Sequence, residues 1–428
     1  VSNTLTLPDF FESLTMLRED RGLKTTLLGI GPMSKRIVRV SLKLAQRRDF
    51  PILFIASRNQ VDLKELGGGY VCSWEQGSFV ETIRELAEEV RFSGLCYICR
   101  DHGGPWQRDT EREAKLPPEI AMEIAKRSYI EDLLRGFDLL HIDPTKDPHT
   151  PSGSELETVI RRTVELIECI ETERKSRSLP EISYEVGTEE TSGGLTEAQV
   201  YEGFITRLNS ILTTKGLPLP AFIVGQTGTL VRMTENVGLF DAGAAEALSR
   251  VAEKHSTGLK EHNADYLDDS ILLQHPLLGI TAANVAPEFG VAETEAYLEL
   301  GRVEEAGRDR GDLQSSSHIF DVIARITIAS ERWRKWMMGE ARDLAVEEVG
   351  KNERLRMQIA RISGHYVFSD PEVIYALERL RRNLAVLGID LDRYVDYRVE
   401  NSIDRYVTCF NLENLTAKVL ERSQSTAD

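Results

Sequence analysis

The chain has few cysteines, too little positive charge to balance its negative charge, and no long apolar run. Five cysteines in 428 residues (Cys72, Cys96, Cys99, Cys169 and Cys409) are too few, and odd in number, for a disulfide framework. Their mostly apolar surroundings suit a reduced protein, and the expected location is cytoplasmic. Cys96 and Cys99 form a C-x-x-C, but on a strand the two thiols point to opposite faces, which argues against a zinc or redox pair. Lysine and arginine number 52 against 69 aspartate and glutamate, a net charge of −17. Bulk electrostatics therefore excludes nucleic acid and anionic membrane as partners, while leaving a local phosphate pocket open. No stretch of about 18 apolar residues is present, so no membrane span is expected. The opening VSNTLTLPDFFESL lacks the basic-then-apolar layout of a signal peptide. Neither G-x-x-x-x-G-K-[ST] nor a protein-kinase motif set occurs, which disfavours phosphoryl transfer. Gly29-Ile30-Gly31-Pro32 is not the G-x-G-x-x-G of a dinucleotide fold.

What is present is a rhythm. Strands are predicted at Thr25–Ile30, Pro51–Ala56, Leu95–Cys99, Asp138–Ile142, Glu181–Val186, Pro220–Val224, Gly258–Glu261 and Leu278–Ala282. Amphipathic helices separate them, and a short helix at Pro8–Arg18 precedes them. Eight strand-then-helix units ending near residue 285 predict a (β/α)8 TIM barrel of the α/β class, with a doubly wound open sheet as the runner-up. After residue 285 the pattern is helical throughout: Pro287–Ala306, Ser317–Val349, Arg354–Ile362, Pro371–Leu387 and Asp392–Ser423. The expected organisation is a barrel over residues 1–285 and a C-terminal helical extension over 286–428, packed on it. Phe320, Ile323, Ile326 and Trp333 are expected to form one buried stripe of that extension.

In a parallel barrel, reactive groups stand just beyond the strands. Here the strand ends carry Ser57, Arg58, Asn59, Gln60 and Asp62; Asp101 and His102 before Gly103-Gly104-Pro105; His141 and Asp143; Glu185 and, beyond it, Glu189; Gln226; Glu261, His262 and Asp265; and Asn284. Pleating is lost at a strand's end, so Asp101 and His102 are expected to face one cavity together. Imidazoles, carboxylates and a carboxamide converging on one rim suit a divalent metal such as zinc, manganese, cobalt or nickel. Few cations accompany them in the sequence, and buried carboxylates left without a counter-charge would be costly. His149, His255, His275 and His318 lack this setting and are read as structural.

Taken together, Ser57-Arg58-Asn59-Gln60-Val61-Asp62, Asp101-His102-Gly103-Gly104-Pro105, His141-Ile142-Asp143, Gly187-Thr188-Glu189 and His262-Asn263-Ala264-Asp265-Tyr266 resemble the Z-subunit family of D-tagatose-1,6-bisphosphate aldolase. The resemblance runs from about residue 25 to about 390 and extends to class II aldolases, which are metal-dependent barrels. It implies that Asp101 transfers a proton and that His102, His262 and Glu189 hold the metal. Gln226 stands where the aldolases have a third metal histidine. The chain also departs after His262: Asn263-Ala264-Asp265 replaces a glycine-serine phosphate turn. His365-Tyr366-Val367 matches a stretch that reads Arg-Tyr-Tyr in related proteins.

The function this implies is metal-dependent chemistry on a ketohexose or its phosphate, foremost a ketose 4-epimerase interconverting tagatose and fructose by retro-aldol cleavage and re-formation of C3–C4. Asp101, Asp143 and Glu189 are the candidate catalytic carboxylates. Ser57, Asn59, Gln60, Gln226, Asp265 and Asn284 are the candidates for holding the sugar. The alternative is a non-catalytic stabilising subunit of the class II aldolase, so the expected partners are a sugar and either a second copy of the chain or an aldolase catalytic subunit.

Overall fold

The computed structural model describes residues 5–150, 155–188 and 194–427. Eight parallel strands close into a barrel: β1 (Leu27–Ile30), β2 (Ile52–Ser57), β3 (Cys96–Gly103), β4 (Leu139–Ile142), β5 (Ser183–Val186), β6 (Phe222–Val224), β7 (Gly258–Glu261) and β8 (Ile280–Val285). Closure comes from β1 pairing with both β2 and β8. The strands are short runs of apolar residues buried on both faces, as a sheet covered by helices requires. A two-stranded hairpin, Val231–Arg232 with Glu235–Asn236, decorates the loop after β6.

The helix Leu7–Arg21 starts with Pro8 in its first turn and stops at Gly22 in the left-handed region. It closes the floor of the barrel. Phe10 packs on Tyr97 at 5.6 Å between ring centroids and Phe11 on Phe222 at 5.0 Å, both at the starts of their strands. The opposite rim is polar.

Two strands run more than one residue past their expected ends, both at the rim. β3 runs on through Asp101 and His102 to Gly103, and β8 is shifted to end at Val285, which places Asn284 inside the strand. Two long predicted helices are broken. The stretch expected as Ser317–Val349 is a helix at Ile319–Ala329, two 3-10 turns at Arg332–Lys335 and Gly339–Asp343, and a short helix at Val346–Lys351. Glu331 and Gly339 take positive φ there, which no continuous helix permits. The stretch Asp392–Ser423 likewise divides into Leu391–Cys409 and Leu415–Ala427, with Asn411 and Asn414 left-handed between them. As a result the expected stripe splits. Ile323 belongs to the main core, while Trp333 joins a second small core with Ile328, Met337, Val349, Ile359 and Ile362; Phe320 and Ile326 are half-buried.

Candidate active site

β3 builds the site. Its register against β4 slips between Arg100 and Gly103, so one extra residue is accommodated, and His102 adopts φ 43°. Such a bulge re-aims side chains. Arg100 points outward and grips Asp132 at 2.8 and 2.5 Å, while Asp101 and His102 both turn inward. Gly104 follows with φ 122°, and a Cβ there would lie 2.5 Å from the Asp143 carbonyl oxygen. Only glycine fits this turn.

Asp101, His102, His141 and His262 each present an atom to one point, all within 4.8 Å of one another. His102 Nδ1 lies 2.9 Å from Asp143 Oδ2, whose partner oxygen accepts from the Thr145 hydroxyl at 2.5 Å. His262 Nε2 lies 2.8 Å from Glu185 Oε1, and Glu185 Oε2 accepts from Lys260 Nζ at 2.5 Å. His141 Nδ1 accepts the backbone N–H of His102 at 3.1 Å, and its Nε2 has no partner among the described residues. Asn284 donates to Asp101 Oδ1 at 3.0 Å.

The tautomers follow from these partners. A nitrogen facing a carboxylate carries its proton, so His102 Nδ1 and His262 Nε2 are N–H groups. In neutral rings, His102 Nε2 and His262 Nδ1 then carry lone pairs, and these two nitrogens are 3.1 Å apart. Facing lone pairs at that distance repel, and either a further proton on one ring or a bound metal ion relieves them. Ring nitrogens each bound to a metal at about 2.0–2.1 Å in tetrahedral array lie only slightly further apart. The carboxylate behind each histidine is the support that metal-bound imidazoles ordinarily have. The donor set therefore fits a divalent transition metal.

Burial, the largest influence, would raise Asp101, but His102, His141 and His262 together hold it well below the usual carboxylate range. Glu185, also opposed by burial, is pulled down to about 2 by Lys260, His141 and His262. Burial pushes the His262 imidazole down, which favours the neutral, ligating form. One cation unforeseen in the sequence, Lys260, thus lies at the bottom of the site. It pairs with Glu185.

The structure therefore brings together Asp101, His102, Asp143, His262 and Asn284. It occupies other predicted residues elsewhere. Asn59 donates to the Gln107 carbonyl at 3.1 Å and accepts the Asp109 N–H at 3.1 Å. Gln60 accepts the Ser57 N–H at 2.7 Å and donates to Met33 Sδ at 2.9 Å. Asp265 accepts N–H bonds from Ala286 and Glu288 at 3.1 and 2.8 Å, tying down the start of the helix Pro287–Asp309. Ser57 ends β2 opposite Asp101, and Gln226 is buried in the turn after β6. Glu189 lies outside the described residues. Sequence reasoning gave His141, Glu185 and Lys260 no role in the site. The spacing His141-x-Asp143 was the available signal, since residues two apart on a strand share a face.

The whole-chain comparisons agree with this geometry. Residues 13–401 match the GatZ/KbaZ-like family, D-tagatose-1,6-bisphosphate aldolase subunit GatZ/KbaZ-like. The D-tagatose-1,6-bisphosphate aldolase subunit GatZ of Escherichia coli (strain SMS-3-5 / SECEC) is 24% identical over 286 residues, spanning 63% of this chain and 66% of that one. The crystal structure of a probable tagatose 6 phosphate kinase from Sinorhizobium meliloti 1021 shares the fold, with a TM-score of 0.70 at 18% identity over 90% of this chain and 100% of that one. So does fructose-bisphosphate aldolase from Campylobacter jejuni, at TM-score 0.54 and 9% identity, covering 95% of each chain. A closed barrel with a His/Asp cluster at its C-terminal rim and a match over nearly the whole length lead to one conclusion: this chain is a carbohydrate aldolase-related protein belonging to the GatZ/KbaZ-like family.

Proposed function

We propose that this chain is a metal-dependent enzyme of ketohexoses or their phosphates, and that its reaction is epimerisation at C4 by retro-aldol cleavage and re-closure. The observation that supports this most is the pair of facing lone pairs on His102 Nε2 and His262 Nδ1, with an ionised Asp101 beside them. In this reading His102 and His262 hold a divalent metal, with Glu189 the candidate third ligand and Asp101 left free as the base. When bound, such a metal supplies Lewis-acid polarisation of the C2 carbonyl and C3 hydroxyl.

The chain's own residues do the rest. Asp101, held in place by Asn284, accepts the proton of the C4 hydroxyl, and general-base help of this kind is worth roughly 100- to 10,000-fold. Loss of that proton makes C4 an aldehyde as the C3–C4 bond breaks. The electron pair stays on C3, in conjugation with the C2 carbonyl. Direct deprotonation at C4 would leave a carbanion with no such sink. After the aldehyde rotates, attack on its other face re-forms the bond, and the proton returns from Asp101 to the new C4 hydroxyl. Asp143 and Glu185 orient His102 and His262.

The test is to incubate the purified chain alone with divalent metals, fructose, tagatose and their phosphates in deuterated water. The expected product is the C4 epimer without deuterium at C4; stoichiometric deuterium there would overturn the retro-aldol route. The second reading, a stabilising subunit, is favoured by the word subunit in the description of the matched relatives. It predicts no turnover alone and a gain in activity only when an aldolase catalytic subunit is added.

A further inference from the structure

A cavity of about 240 Å³ lies at the opposite end of the barrel from the histidine cluster. It is enclosed by the start of the floor helix Leu7–Arg21, the helix Gln76–Glu89 and the chain leading into β3, β4 and β5. Leu7, Ile83 and Ile98 give it an apolar wall. Its volume is below the roughly 300–1,000 Å³ of a drug-sized site, so only a small molecule fits.

Three charged side chains line this one space. Arg84 and Glu181 are exposed and stand at its mouth, while Asp138 is half-buried and stands inside. Asp138 spends Oδ2 on the Ile98 N–H at 2.8 Å, and its Oδ1 has no hydrogen-bond partner among the described residues. Arg84 forms no ion pair among the described residues, with either carboxylate of the cavity or with any other. Burial pushes the Asp138 carboxyl up to about 7, so it ionises near neutral pH, and an ammonium beside it would bring it down.

A carboxyl set inside a cavity without a paired cation carries a cost that a bound ammonium relieves. A guanidinium on the same wall holds a carboxylate through two parallel N–H bonds. A simple amine would be repelled by Arg84, and a simple carboxylate by Asp138; a molecule bearing both charges satisfies both side chains. We propose that this cavity binds a small zwitterion, an amino acid or a similar aminoalkanoate, with its ammonium on Asp138 and its carboxylate on Arg84. The site is separate from the histidine cluster, so the proposal does not depend on the sugar chemistry read there.

The experiment is equilibrium binding to the full chain, with and without added divalent metal, using alanine, γ-aminobutyrate, butylamine and butyrate as probes. It is run at about pH 8, where Asp138 is mostly ionised and aliphatic ammonium groups keep their protons. With or without metal, at least one of the two zwitterions should bind about 10-fold or more tighter than butylamine and butyrate, as one further charge-assisted hydrogen bond allows. The better of the two gives the separation of the charges. Without metal, Arg84→Gln should bring that zwitterion to within about 3-fold of butylamine, and Asp138→Asn to within about 3-fold of butyrate. The Asp138→Asn side chain keeps an oxygen for the Ile98 N–H. Arg84 is exposed, so Arg84→Gln leaves the fold untouched and decides alone should the other variant not fold. No advantage for either zwitterion, an advantage present only with metal, or one retained in Arg84→Gln overturns the proposal.

Discussion

Two groups of buried charge flank the end of β3, and they are balanced in opposite ways. Outside the barrel, Arg100 grips Asp132 and donates to the carbonyls of Ala56 and Val61, while Arg58 meets Asp62 at 3.0 Å and Glu111 at 2.7 Å and donates to the Gly104 carbonyl at 2.8 Å. Each carboxylate there has a guanidinium. Inside, Asp101, Asp143 and Glu185 stand among three imidazoles, and the ion pair Lys260–Glu185 holds only one of them. The outer group is closed, so it can only hold the backbone, and it fixes the Asp101–Gly104 turn from behind. In the proposed reading the inner group is completed by a cation taken up from solution, which is the property of a binding site. Asp138, just before β4, is a third case: it accepts the Ile98 N–H at 2.8 Å and, with no cation paired to it among the described residues, burial pushes it up to about 7.

Breaking the outer group should cost the most. Arg100→Met leaves Asp132 buried without its partner, and urea unfolding should show a loss of about 3–5 kcal/mol. A loss below about 1 kcal/mol would mean that the pair does not close the outer group. Within the inner group, His262→Ala should lower affinity for the metal by more than about 100-fold, measured by dialysis and elemental analysis on folded protein. Asp143→Asn removes only the support behind His102, so the expected loss is smaller, about 10- to 100-fold, with the metal still bound at saturation. Unchanged affinity in Asp143→Asn would show that His102 is not oriented through Nδ1.

Asp138 lies apart from both groups, and its effect is seen only through pH. Its unfolded carboxyl loses its proton near pH 4, whereas the folded one holds it to about 7. The unfolded state therefore binds fewer protons in this window, and stability falls as the pH rises from about 4 to about 7. Asp138→Asn should flatten that fall by about 3 kcal/mol in denaturation measured across the window. An unaltered pH profile would remove Asp138 from the account.

The barrel was legible because each strand is a short apolar run between amphipathic helices, and the helical character of the C-terminal third followed from its periodicity. Asp101 and His102 were legible because an apolar run breaks abruptly into charge before a double glycine. The bulge that lets both face inward was not, since it is a matter of register against β4. Lys260 and Glu185 are adjacent only across the closed barrel, and GLKE does not reveal that Lys260 points inward while Glu261 points out to His275 at 3.0 Å. Asn59, Gln60 and Asp265 read as site residues because they follow strands; their side chains fold back on nearby backbone, which composition cannot show. The breaks at Glu331 and Asn411 depend on single residues adopting positive φ, and periodicity is blind to that.

The most direct test of the central claim is metal stoichiometry. Metal-stripped protein dialysed against zinc, manganese, cobalt or nickel should retain about one ion per chain, and the His102→Ala and His262→Ala variants should retain none while remaining folded. Wild-type protein that retains no ion, or variants that bind as well as wild type, would contradict the account.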